Sequence, residues 1–545
     1  MTAPQHPAMP GLRRDLARGV LSRREFLALA SSLAGGAAAL GLPATAAPSD
    51  RDPRRGGVLR VGMQVLPLTD PRAFSWPEQA NVARQCLETL VRCRPDMAFE
   101  PWLLRGWEVS ADLRTYTLHL RPGVVWTNGD SFGAEDVAQC FRRWCDADAP
   151  GNSMAARMHG LVDRATGRLR EGGVEILGPL TVRLNLSIGD VALIANISEY
   201  PALVTHRAFD ETGADFAAAP VSTGPFELAL VEPGARALVR RRADGRWWGG
   251  EPWLDGVDFI DVGPDPAAEV AAFRDGRIDA NHWSPPGFAE ALDADGLTRH
   301  AAASAATVVA RMNVTHPPYD DVRVRRALQM AVDCREVLLL GFGGAGEPAE
   351  HHHVSPIQPD YARLPPPVFD PAAARALLAE AGAADFEHEL TVIDDDWRRN
   401  TADAIVAQLR DAGIPARRRL APAASYLEHW RDYPFSITNW TGRPLGVQAL
   451  ALGYRTGSAW NETGFSDPAF DLGLTAALAE PDSVERQAIM AVLQRTLQAS
   501  GAIIQPYWQN LHCHSAPRVH GYFKHPAHEM HLEDVWLDPA DEGAE

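Results

Sequence analysis

Short runs in which apolar and polar residues alternate are set among longer runs whose apolar residues recur three or four apart, along nearly the whole chain. The first pattern predicts half-buried strands and the second predicts helices with one face turned to a core. Residues 56–63 read as a strand, with Val58, Arg60 and Gly62 opposite Leu59, Val61 and Met63. A helix follows near Asn81. A hairpin is predicted from 107–109 and 115–120, a short strand at 124–126, a helix at 134–144, and strands at 173–177 and 181–186. Further on, 225–231 and 237–242 read as paired strands around Glu232-Pro233-Gly234, 257–262 as another strand, and 266–275 as a helix closed by Gly276. A strand from Thr307 to Met312 leads into one long helix over 321–340. Asp370-Pro371 opens a helix that Gly382 closes, 390–393 is a strand, 401–412 a helix, and Asp482 with Glu485 caps a helix ending at Gly501. Strands interleaved with helices at these lengths mean α/β layers.

The N-terminus has a different character. Ser22-Arg23-Arg24-Glu25-Phe26-Leu27 precedes a weakly apolar run, 28–42, and then the small residues Ala44-Thr45-Ala46. This order is that of a twin-arginine signal peptide over residues 1–46, an address for export of a folded protein, cleaved to leave a soluble chain in the periplasm or outside the cell. The run is too short and too rich in Gly to span a bilayer. Beyond it the chain has 47 basic and 68 acidic side chains, a formal charge of -21, which disfavours nucleic acid and anionic membranes as partners. Its length calls for two or three domains. The six cysteines are few and read as small core residues.

An ordered series of motifs then narrows the choice. It runs through 56–62 (GGVLRVG), 88–91 (ETLV), 107–110 (WEVS), 120–124 (LRPGV), 134–137 (AEDV), 223–226 (TGPF), 252–255 (PWLD), 312–314 (MNV), Trp440-Thr441, His525-Pro526 and 534–538 (DVWLD). Together these resemble the family 5 extracellular solute-binding proteins, the dipeptide, oligopeptide and nickel binders of ABC importers. The resemblance implies a class II periplasmic-binding fold: two lobes with a hinge, closing on a ligand, and an extra domain inserted in lobe one. By that analogy lobe one is 47–85, 220–305 and 516–545, the inserted domain 86–219, and lobe two 306–515. It implies a monomer that hands a peptide-like or other small organic solute to a membrane permease and ATPase, with no cofactor and no catalytic residue.

The same analogy places Phe74, Ser75 and Trp76 on one wall of the ligand site and Asn439, Trp440 and Thr441 on the other, with Tyr507 and Trp508 as an aromatic floor and Asn461 nearby. Trp460 reads as a core residue. In similar dipeptide binders an aspartate follows the Trp-Thr-Gly triplet and pairs with the ligand's ammonium; here that position is Arg443. A guanidinium repels an ammonium and attracts a carboxylate or phosphate, so an anionic or amine-free ligand is expected. Arg398 and Arg399, just ahead of a helix, are further anion candidates.

Two rival readings are weaker. His351-His352-His353 and the C-terminal histidines suggest import of nickel or a metal chelate, but adjacent histidines point apart and no helix-spaced ligand set is present, so no metal ligand is assigned. A secreted enzyme would carry a nucleophile elbow, a zinc-binding helix or a phosphate loop, and none occurs. Residues 341–346 are rich in Gly but follow a helix instead of opening one.

Overall fold

The computed structural model describes residues 6–36 and 52–539; the expected cleavage site at Ala44-Thr45-Ala46 and the end of the apolar run lie outside them. The chain divides into two compact units, one of Met1–Ser284, Phe288–Ala302 and His512–Glu545, the other of Pro285–Gly287 and Ala303–Leu511. It passes between them at 302/303 and 511/512, where 305/306 and 515/516 are expected. No helix of the described residues is long and apolar enough to cross a membrane.

In the first unit, Val58–Gly62 lies parallel to both Gly256–Ile260 and Ala280–Asn281, and Gly256–Ile260 continues antiparallel into Arg236–Arg241 and Phe226–Glu232. Val61 and Leu59 are buried where alternation puts them. Helix Pro266–Arg274, capped by the Asp265 carboxylate on the Ala267 N–H, packs Val270 and Phe273 against Ile278 and Leu292. Residues 86–219 contribute a separate antiparallel sheet in the order Leu104–Val109, Thr115–Leu120, Thr181–Asn185, Val174–Gly178. Helix Ala134–Trp144 lies where the pattern predicts it; its Asp136 accepts the Gly133 N–H at 2.9 Å and the Trp126 indole N–H at 3.3 Å. Expected strand 124–126 is reduced to a single bridge, Val125 to Ser131.

Two further helices, Met9–Ala17 and Arg23–Leu33, belong to this unit. Ser22 and Glu25 form a reciprocal capping box at the start of the second.

In the second unit, Phe435–Trp440 runs antiparallel to the end of Thr298–Met312 and parallel to His388–Ile393, which is flanked by parallel Ala416–Ala421. Three expectations are corrected here. The strand ending at Met312 begins at Thr298, nine residues before Thr307, because the run of small residues from Ala301 to Ala306 is extended despite its weak strand propensity. The helix expected over 321–340 is two helices, Val322–Met330 and Cys334–Phe342: Asp333 accepts the Arg335 N–H and starts the second one afresh. The helix expected from Thr401 begins at Asp396, capped by Asp395 on the Arg398 N–H at 3.1 Å. Arg398 and Arg399 are therefore inside its first turn rather than ahead of it. The six cysteines are all free, five of them buried.

Candidate functional site

The end of strand Phe435–Trp440 carries the densest aromatic cluster of the second unit. Both faces of this strand are covered, so Trp440 is 5% exposed although it is the last strand residue. Its indole N–H donates to Glu462 at 2.8 Å, and Glu462 pairs with the fully buried Arg311 at 3.3 Å. Arg311 also donates to the carbonyls of Trp430, at 2.6 Å, and Tyr433. Burial raises the Glu462 carboxyl above the usual carboxylate range, with Arg311 opposing. Trp460 meets Trp440 edge-on, with ring centres 5.9 Å apart, and His353 meets it edge-on from another side at 4.9 Å.

After Trp440 the chain passes close to strand Thr298–Met312. A Cβ on Gly442 would come within 2.9 and 3.0 Å of the amide nitrogens of Ala305 and Ala306, so only glycine fits. That turn delivers Arg443 into the aromatic cluster, its guanidinium carbon 5.6 Å from the Trp440 ring centre and 5.3 Å from that of Trp460. Arg443 is buried and donates to the Thr441 carbonyl at 2.8 Å. Its positive charge adds to burial in pushing the His353 imidazole down to about 3, so His353 is neutral. Nδ1 of His353 and the Tyr454 hydroxyl are 2.9 Å apart and hydrogen-bonded. Trp508 lies tilted against His353, ring centres 6.4 Å apart. Its indole N–H is buried and has no hydrogen-bond partner among the described residues.

A second group sits at the start of helix Asp396–Asp411. Arg398 donates to the Asn439 side-chain oxygen from Nε at 3.2 Å and from Nη2 at 2.5 Å, pairs with Asp395, and lies over the Trp397 ring at 4.7 Å. Arg399 instead pairs with Asp394 near solvent. Tyr507 is fully buried, stacked on Phe342 at 5.0 Å and hydrogen-bonded through its hydroxyl to Thr401 at 2.6 Å.

The structure thus gathers Trp440, Arg443 and Trp508 around His353, with Thr441 accepting from Arg443, and joins Arg398 to Asn439. It holds Asn461 elsewhere in its loop: the side-chain amide donates to the carbonyls of Arg455 and Phe465 at 3.1 and 2.7 Å. In the first unit, Phe74 is a fully buried core residue, while Ser75 and Trp76 are half-buried. The amides of Ser75 and Trp76 donate to Gln79 at 3.2 and 3.4 Å, and the Ser75 carbonyl accepts the Tyr200 hydroxyl at 3.0 Å.

Sequence reasoning leaves out His353, Tyr454, Glu462 and Arg311; Trp460, expected in the core, is buried there and turns its ring toward Arg443. The three consecutive histidines drew attention as metal ligands. Here His351 accepts the Gln505 N–H at 2.9 Å, His352 pairs with Glu350 at 2.9 Å, and His353 faces Tyr454, so the three rings diverge. His525, Glu529 and His531 do bring possible ligand atoms within 4.8 Å of one another. Both ring nitrogens of His525 are engaged there, by the Ala527 N–H and the Cys93 carbonyl, and Arg84 lies 3.1 Å from Glu529.

Residues 98–462 match the family model for bacterial extracellular solute-binding proteins, family 5, middle region. The glutathione-binding protein of Salmonella typhi is 30% identical over 388 residues, 70% of this chain and 72% of its own length. Di/tripeptide-binding protein 1 of Pseudomonas aeruginosa is 25% identical over 452 residues, 76% of this chain and 82% of its own. Among solved structures, AgaA of A. tumefaciens R10 in complex with agropinic acid superimposes with a TM-score of 0.80 at 22% identity, covering 90% of this chain and all of that one. By their descriptions these proteins bind small solutes. The chain belongs to the family 5 bacterial extracellular solute-binding proteins, and its fold and function are those of the substrate-binding component of an ABC importer.

Proposed function

We propose that this protein captures a small peptide-like or other organic solute bearing a carboxylate or comparable anion, and that Arg443 and the Trp508 indole N–H receive that group. The solute then passes to the permease and ATPase of the importer. The observation that carries the reading is the Trp508 N–H, a buried donor with no acceptor among the described residues, beside a neutral histidine and a guanidinium held between two indoles. A buried donor left unmade costs about 1–3 kcal/mol, so a ligand oxygen at that position is favoured by more than its own attraction. A guanidinium packed on indoles has a fixed plane to offer to a planar anion. Glutathione and agropinic acid, bound by two of the similar proteins, both carry carboxylates. Export by the twin-arginine route and a monomeric state complete the reading.

The test is a thermal-shift screen of ligand-stripped protein with glutathione, amine-blocked dipeptides, opine-like acids, ordinary dipeptides and a nickel–histidine chelate. Ligand at 100 times its dissociation constant adds about 2.7 kcal/mol, a clear rise in melting temperature. Amine-free acids are expected to stabilise the wild type, less so Trp508→Phe, which loses only the N–H and its fused ring, and not at all Arg443→Gln. Stabilisation by ordinary dipeptides alone, equal in all three proteins, would refute the anion reading.

A further inference from the structure

This inference rests on the proposed reading of the N-terminus as a twin-arginine export segment, whose described residues, 6–36, are packed into the first unit. All seven residues from Leu27 to Leu33 are buried. Helix Met9–Ala17 packs on one side of their helix, and strand Phe99–Pro101 of the first unit lies on another. The contacts are specific: the Phe99 backbone N–H donates to Ser31 Oγ at 2.7 Å, the Trp107 indole N–H donates to the Ser32 carbonyl at 2.6 Å, and Leu27 packs on Ala98. His6 reaches the Ser110 carbonyl at 3.1 Å. Gly35 and Gly36 follow with φ of 83° and 121°, and a Cβ on either would come within 2.7 Å of Trp107 or Pro101. Arg24 is half-buried, within reach of the Asp96 charge, while Arg23 is exposed.

We propose that residues 6–36 dock in cis on the surface built by Ala98, Phe99, Pro101 and Trp107, and that this contact covers Leu27 to Leu33 of the apolar export run and half-hides its arginine pair until the segment is withdrawn. The physical case is reciprocal. An exposed run from Leu27 to Leu33 would be a contiguous apolar patch of the kind that drives aggregation or premature membrane contact. The surface it covers would in turn expose Trp107 and leave two N–H donors to find water. Docking removes both liabilities at once. Two glycines at the points of closest approach let the backbones meet, and Ser31 supplies an acceptor where Phe99 needs one. The surface combines Trp107 of the antiparallel sheet over 104–185 with Phe99 and Pro101 of the separate strand pair Val91–Cys93 and Phe99–Pro101, so the export segment is covered by cargo that has folded. Whatever reads the arginine pair must compete with this contact, and the docked form is the latent one.

Full-length, unprocessed protein tests this directly. Gly35→Val should collide with the Trp107 carbonyl and undock the segment, and Ser31→Ala should remove the acceptor of the Phe99 amide without steric change. In the wild type, trypsin should cut at Arg24 about tenfold or more slowly than in Gly35→Val, and the Phe99 amide should exchange its hydrogen correspondingly more slowly. Ser31→Ala should raise Phe99 exchange even if trypsin protection is only partly lost. Equal cutting at Arg24 in wild type and Gly35→Val, or Phe99 exchange unaffected by both substitutions, would overturn the proposal.

Discussion

Glu269 offers a test of how a buried carboxyl sets the pH response of the first unit. It lies on helix Pro266–Arg274 and accepts a hydrogen bond from the Asn281 side-chain amide. Asn281 is committed all round: its Nδ2 also reaches Ser284 Oγ at 2.7 Å, its side-chain oxygen accepts the His514 N–H at 2.6 Å, and its carbonyl accepts the Tyr522 hydroxyl at 2.8 Å. Burial pushes the Glu269 carboxyl up from 4.5 to about 7, with the Asn281 bond opposing. A carboxyl whose folded value is raised binds its proton more tightly in the native state, so its stabilising contribution is complete below about 4.5 and is lost as pH rises through about 7. The full rise corresponds to about 3 kcal/mol at about 1.36 kcal/mol per tenfold. Because surface area leaves Glu269 only half-buried, solvent reduces this to about 2 kcal/mol. Gln at 269 mimics the protonated acid and cannot ionise. Urea unfolding of wild type and Glu269→Gln at intervals between pH 4.5 and 8 should show the variant gaining on the wild type by about 2 kcal/mol across that window. A difference that stays flat with pH would refute the argument, since it would mean that Glu269 ionises alike in folded and unfolded chains.

The Arg311–Glu462 pair should behave as a buried ion pair. Glu462→Gln leaves a buried cation and should cost about 3 kcal/mol in urea unfolding, while adding Arg311→Met should restore most of it; equal loss in single and double variants would argue against direct coupling. Gly442→Ala forces a methyl against the amides of Ala305 and Ala306 and should cost about 1–3 kcal/mol with a shift in tryptophan emission; unchanged melting and emission would mean that the turn yields freely. Tyr507→Phe leaves the Thr401 hydroxyl without its 2.6 Å partner and should lower stability by about 1 kcal/mol, with Thr401→Val/Tyr507→Phe close to wild type; a double variant twice as damaged would refute a shared bond.

What the sequence made legible follows from how local each signal is. Helix Ala134–Trp144 and helix Ser483–Ser500 appear where pattern and caps place them, because the stripe, the capping acid and, at 501, the closing glycine all lie within the element. The pattern over 321–340 reads as one helix because Asp333 caps the second helix only through the Arg335 N–H, while its neighbours keep an apolar spacing that carries straight across the break. The first part of strand Thr298–Met312 is not legible for the opposite reason: Ala301 to Ala306 have no alternation to read, whereas Thr307 to Met312 do and pair with Phe435–Trp440.

The site divides in the same way. Trp440 and Arg443 are legible in the sequence as candidates because they stand in or beside a motif that the resemblance singles out. His353, Tyr454 and Glu462 come from other segments, and no spacing along the chain announces that they converge. The chemistry of the site is nevertheless set by them. Glu462 fixes the Trp440 indole by taking its N–H, and the fixed indole gives Arg443 one of its two faces. Arg443 then adds to burial in keeping His353 neutral.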